Sequence, residues 1–142
     1  MRARWYLCLV LLPPLILLAG GCDGGTKLVH VTGTVRSAGK PVPNLVVNFV
    51  PPTGRPSWGV TDAAGAFKLG QDRKTEGVIP GKQRVYFTYR PRDPKQEIAY
   101  QEGKAPLPRE LKPILAKYGS LEKTTLSYDV NQDGQIIDIT LD

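Results

Sequence analysis

The chain has 142 residues, a formal net charge of +6, 41% hydrophobic residues and two cysteines. That length holds one domain with a core of its own. The basic excess is too mild to mark a nucleic-acid partner, and two cysteines are too few for a disulfide scaffold.

The chain opens with Arg2 and Arg4 and no acid, followed by an apolar run from Trp5 to Ala19 that only Pro13 and Pro14 interrupt. Gly20, Gly21 and Cys22 follow. A basic head, a short apolar stretch and a small-residue cleavage site describe a secretory signal rather than a domain element. The run is shorter than the roughly 20 residues a helix needs to cross a bilayer, and paired prolines break a core helix. Leu18-Ala19-Gly20-Gly21-Cys22 resembles a lipobox in its relaxed form, with Ala19 where Leu is favoured and Leu18 one place further back. The resemblance implies cleavage behind Gly21 and a diacylglyceryl group on the Cys22 thiol, with fatty acyl chains such as palmitate. The competing readings are an ordinary secretory signal with a chance cysteine and a plain transmembrane anchor.

Residues 1–21 are thus expected to be a signal peptide, 22–27 a lipidated tether and 28–142 the domain. Loss of 21 of the 142 residues leaves 121, and loss of Arg2 and Arg4 lowers the net charge from +6 to +4. Cys8 leaves with the signal and Cys22 is consumed by lipid, so the mature domain holds no thiol, disulfide or Cys-based metal site. Asp23 follows the lipidated residue, where in some bacteria an Asp resembles a signal for inner-membrane retention.

Past the tether, period-2 alternation recurs between turn signals. Val29, Val31, Gly33 and Val35 share one face, opposite His30, Thr32, Thr34 and Arg36; Ser37 to Lys40 is a turn. Leu45, Val47 and Phe49 alternate with Val46, Asn48 and Val50 until Pro51-Pro52. Trp58 and Val60 begin a short strand, Thr61 to Gly65 is a hairpin loop, and Phe67 and Leu69 point inward after it. Val85, Phe87 and Tyr89 oppose Arg84, Tyr86, Thr88 and Arg90. Leu126, Tyr128 and Val130 precede Asn131-Gln132-Asp133-Gly134, and Ile137, Ile139 and Leu141 close the chain. Seven such segments predict an all-β, seven-stranded antiparallel sandwich. Pro91 to Pro113, with five prolines, is read as one long ordered loop, and Pro113 to Tyr118 as one helical turn. Asp62 is expected to accept N–H bonds within its own turn, and Gly39 and Gly65 to supply positive φ.

Several of these segments resemble the carboxypeptidase regulatory-like domains of bacterial lipoproteins. They are Val31-Thr32-Gly33-Thr34-Val35, Gly39-Lys40-Pro41-Val42-Pro43-Asn44, Val47 to Pro51, Thr61-Asp62-Ala63-Ala64-Gly65-Ala66-Phe67, and Ile79-Pro80-Gly81-Lys82 before Val85-Tyr86-Phe87. Pro113 to Tyr118, with Ser120 and Leu121, resembles the ending of small lipoproteins that carry this domain. The resemblance spans about Val29 to Leu141 and implies a transthyretin-like (prealbumin-like, Ig-like) Greek-key sandwich. Such domains are accessory modules, so the resemblance fixes no activity.

Catalytic chemistry finds little purchase. His30 is the only histidine, with no second His or Cys for a metal and nothing to place a serine beside it. Asp129, Asn131 and Asp133 with Gly134 fit the start of a calcium loop, but Thr140 stands where a bidentate Glu is needed and strands replace the flanking helices. A type I′ hairpin at Asp133-Gly134 is preferred to the metal. Lys82, Arg84, Arg90, Arg92 and Lys95 form a basic cluster, read as a solvated face or as a contact for anionic lipid head groups. The expectation is a non-enzymatic, membrane-anchored envelope lipoprotein facing the periplasm or cell exterior. It would bind or support an envelope protein or glycan and need no cofactor and no nucleic acid. The alternative is a carbohydrate or small-ligand binder using Trp58, Tyr86, Tyr100 and Tyr118; a hydrolase has the least support.

Overall fold

A computed structural model describes residues 25–142. The signal peptide, Cys22 and Asp23 lie outside the described residues. Strands β1 (Val31–Ser37), β2 (Lys40–Pro41), β3 (Leu45–Val50), β4 (Ser57–Val60), β5 (Ala66–Lys68) and β6 (Gly81–Tyr89) come first. Helices α1 (Pro94–Gln101) and α2 (Leu111–Tyr118) follow, then β7 (Ser127–Val130), β8 (Gln135–Ile136) and β9 (Ile139–Leu141). Among the described residues no helix is long and apolar enough to cross a membrane.

The strands make two sheets, mostly antiparallel. In the first, β1 is central. Antiparallel β5 and β2 pair with one edge (Gly33 opposite Phe67, Arg36 opposite Pro41), and β8 and β9 pair with β1 in parallel (Thr32 opposite Ile136, Arg36 opposite Thr140). The second sheet runs β4-β3-β6-β7, antiparallel throughout. Alternation along each strand sends Val31 and Val35 of the first sheet and Leu45, Val47, Phe49, Val85 and Phe87 of the second into one core. Phe49 bridges the layers, with its ring centroid 6.4 Å from Phe67 and 6.3 Å from Tyr128. Gln83 is 0% exposed on the same inward face; its Nε2 donates to the Ile79 carbonyl at 2.7 Å, and its Oε1 has no partner among the described residues.

Three expectations are corrected. The sandwich is not wholly antiparallel, because the last strands return alongside the first in parallel. The 131–134 segment is not a hairpin: β7 pairs with β6 and β8 with β1, so this loop carries the chain from one sheet to the other. Gly134 has the positive φ expected (74°), and its N–H donates to the His30 carbonyl instead of closing a two-strand turn. The 91–113 stretch, expected to be one long ordered loop, instead contains α1 and the start of α2. Asp93 caps α1 by accepting from Lys95 N–H at 2.8 Å, and Pro94 sits in the first turn, where its missing N–H costs nothing.

The two ends of the sandwich differ. The chain enters at Val29, which bridges Val78; the 51–56, 70–76 and 131–134 loops lie at this end. The β1–β2 turn, the 61–65 loop, α1 and the start of α2 lie at the other. Strand β6 connects the two ends, about 27 Å at roughly 3.4 Å per residue.

Candidate functional site

A cleft opens at the end away from Val29. One wall is the β1–β2 turn, where Ala38 (φ 49°) and Gly39 (φ 76°) both take positive φ, as a type I′ turn requires. After β2 the Val42 N–H donates to the Val35 carbonyl at 3.0 Å, which tucks the Val42 side chain inward. Asn44 then adopts φ 62°, with its N–H on the Thr61 carbonyl and its own carbonyl accepting from Arg90 N–H. Asn is among the few residues that tolerate this conformation, so the kink into β3 is written in the sequence.

The other wall is α2. It buries Leu111, Ile114 and Tyr118, spaced i, i+3 and i+7 on one face. Pro113 falls in its first turn, where no intrahelical N–H bond is lost. Tyr118 is only 4% exposed and meets Phe87 edge-on at 6.5 Å, so it is core and not ligand surface. Between the walls lies a cavity of about 250 Å³, with Val42, Tyr89, Pro108, Leu111 and Ile114 as apolar lining and Asn44 and Glu110 as polar lining. Burial pushes the Tyr89 phenol up, helped by Tyr100 and Glu110. Tyr100 of α1 packs edge-on against Tyr89 at 4.8 Å and 89°, tying α1 to the same site. The volume falls below the usual range for drug-sized ligands, so the cleft suits one or two apolar side chains or a small molecule.

The four aromatics proposed as a ligand platform do not converge. Tyr118 is buried, Tyr100 packs on Tyr89, and only Trp58 and Tyr86 share a surface. They stand on either side of Asn48, in one row across β4, β3 and β6.

The basic cluster also divides. Lys82 and Arg84 begin β6 at the Val29 end, whereas Arg90, Arg92 and Lys95 follow its far end. Arg90 pairs with Glu97 of α1 at 2.8 Å.

Near the chain entry the structure brings together residues that local spacing could not. Asp133 Oδ1 accepts from the His30 backbone N–H at 2.7 Å and lies 2.7 Å from His30 Nδ1. His30 Nε2 faces Glu76 at 4.0 Å, and Glu76 pairs with Lys68 Nζ at 2.7 Å. These bonds lower the Asp133 carboxyl from its ordinary range, chiefly through the His30 backbone N–H. An Asp–His pair is half of a nucleophile-activating relay, but here the far ring nitrogen meets a carboxylate already held by Lys68. The arrangement therefore works as a clamp on the first strand.

The residues of the calcium reading take part in other bonds. Asp133 is turned to His30, Asn131 N–H donates to Gln135 Oε1, and Gln135 Nε2 donates to the Asp129 carbonyl. Among the described residues no group of three or more His, Cys, Asp or Glu side chains is placed to hold a metal ion. Comparison with family models, curated proteins and solved structures finds none that matches the chain.

Proposed function

We propose that the chain is a non-enzymatic binding module of the cell envelope, held to a membrane by lipid on Cys22, that engages another envelope protein at its far end. One observation carries the reading: the chain enters at one end of the sandwich and the apolar cleft opens at the other. A lipid on Cys22 would then hold the cleft away from the bilayer. The fold is read at its finer level as the transthyretin-like Greek key of carboxypeptidase regulatory-like domains, with β2 and β8 as short additions. Its support is that the quoted motifs fall on working turns: Ala38-Gly39 at the first, and Asp62 accepting from Ala64 and Ala66 N–H groups at 2.9 Å in the second.

Photo-crosslinking in the native envelope tests the function. A photoreactive residue at Lys40 or Glu110, both at the cleft, is expected to give protein adducts, and one at Thr53 is not. Adducts from Thr53 alone would overturn the reading.

A second reading, glycan binding, draws on the Trp58–Asn48–Tyr86 row, since aromatic faces stack on sugar rings. Trp5 and Trp58 are the only tryptophans, and Trp5 lies within the signal, so mature-chain tryptophan fluorescence reports Trp58 alone. A saturable change on adding envelope glycan, lost in Tyr86→Ala, would favour this reading.

A further inference from the structure

Besides the cleft, a second concavity of about 430 Å³ lies on the outer face of the second sheet, near the chain entry. Val50, Pro51, Pro52 and Leu121 give it apolar walls, and Lys82 and Arg84 add two cations. The order of the strands explains this mixture. Val50, Lys82 and Arg84 all lie on the outward face, Arg84 is directly opposite Val50 in register, and Pro51-Pro52 ends β3 beside them. The Arg84 guanidinium donates to the Leu121 carbonyl, which fixes one charge at the mouth. We propose that this groove binds an anionic phospholipid of the bilayer that holds the anchor, with the phosphate at Lys82 and Arg84 and the upper acyl segment on the proline wall. The proposal rests on the lipid-anchor reading above.

The chemistry and the place of the groove select this occupant. An apolar floor with two cations suits an anionic amphiphile, whereas a free anion would leave the floor unused. The groove lies at the anchor end: Gly81 and Lys82 begin β6 where Val50 ends β3. The seven residues from Cys22 to Leu28 can reach at most about 25 Å, which keeps lipid at high effective concentration. The carboxylates of this end are largely engaged: Asp72 faces Arg55 at 3.7 Å, Glu76 holds Lys68, and Asp133 holds His30. Asp129, opposite Lys82 in register, and Glu122, beside Arg84, are the acids nearest the groove. Against them, Lys27, Arg73, Lys74 and Lys82 make no ion pair within 4.0 Å among the described residues. Asp72 accepts from Lys74 and Thr75 N–H groups, a turn that leaves Arg73 and Lys74 exposed.

The test uses the intact lipoprotein in vesicles that contain a phospholipid with a photoreactive acyl chain. Adducts are mapped by mass spectrometry in phosphatidylcholine alone and with added phosphatidylglycerol. With phosphatidylglycerol the adducts should fall on 50–53 and 119–123. Lys82→Gln should lower their yield roughly fivefold, the effect of one cation at an anionic surface. Arg84→Lys should retain most of it. Adducts equal in both vesicles, or concentrated on 103–110 at the far end, would overturn the proposal. Loss of the adducts on adding inorganic phosphate, but not chloride at equal ionic strength, would make the groove a phosphate site and overturn the lipid assignment. The intact mass reads the anchor separately. A chain without acyl mass overturns the anchor reading, and the groove then stands only if added vesicles give the same adduct map.

Discussion

Gly33 lies on the inward face of β1, between Val31 and Val35. A Cβ there would overlap the Ile137 carbonyl oxygen and come within 2.9 Å of the Phe67 ring. The obstacle is backbone, which cannot move aside, so Gly33→Ala should destabilise the domain near the upper end of about 1–3 kcal/mol. Urea unfolding of the variant beside wild type measures this. Ala38 presents the reverse case. It holds φ 49° at the first central position of a type I′ turn, where Asn is favoured. Ala38→Asn should stabilise by roughly 0.5–1 kcal/mol, seen as a raised midpoint with an unchanged denaturant slope. Both positions were partly legible. The alternation around Gly33 marked the strand and its buried face, and Gly39 marked the turn. The clamp of Asp133 on His30 was not legible. The two are 103 residues apart, and only the parallel return of β8 beside β1 brings them together.

The elements show the same division. Periodicity located the seven longer strand segments, because each turns buried residues into a common core; β2 and β8, two residues each, bury none and carry no such signal. Pairing was harder, since period 2 gives a strand's buried face and not its neighbour. Asp133-Gly134 has the composition of a hairpin, and the loop instead crosses between sheets. Helix α1 was hidden for another reason. It buries no residue, so it has no apolar stripe, and the five prolines of the 91–113 stretch suggested an ordered loop. The signal present was local: Asp93 as cap and Pro94 in the first turn. Asp93→Ala should weaken this cap by about 1 kcal/mol. Amide hydrogens of 95–101 should then exchange faster while those of β3 and β6 stay unchanged, because α1 contributes nothing to the core. Equal acceleration throughout would mean that α1 is integral to global stability.

Across the whole molecule, acid sensitivity concentrates at the chain-entry end. The Asp72, Glu76 and Asp133 carboxyls are all lowered. The Lys74 backbone N–H leads at Asp72, the Lys68 ammonium at Glu76 and the His30 backbone N–H at Asp133. A carboxyl lowered by folding contributes stability above its unfolded value, 3.8 for Asp and 4.5 for Glu, and loses it as pH falls through the lower folded value. Melting temperature should therefore be flat near neutrality and fall below about pH 4.5. Asp133→Asn should lower it at neutral pH, and the gap to wild type should close in acid.

The fold places chain entry and cleft at opposite ends, and the proposed function joins that polarity to the lipid anchor expected from the lipobox-like residues. The residues around Cys22 form a lipobox-like pattern, so that part of the account is chemical and has a chemical test. Intact-mass analysis and N-terminal sequencing of the chain recovered from its own membrane is the most direct. The proposed anchor requires a polypeptide that begins at Cys22 and carries diacylglyceryl mass there, with Cys22→Ser abolishing both cleavage behind Gly21 and acylation. A mature chain that begins elsewhere, or one with a free thiol at Cys22, would contradict it.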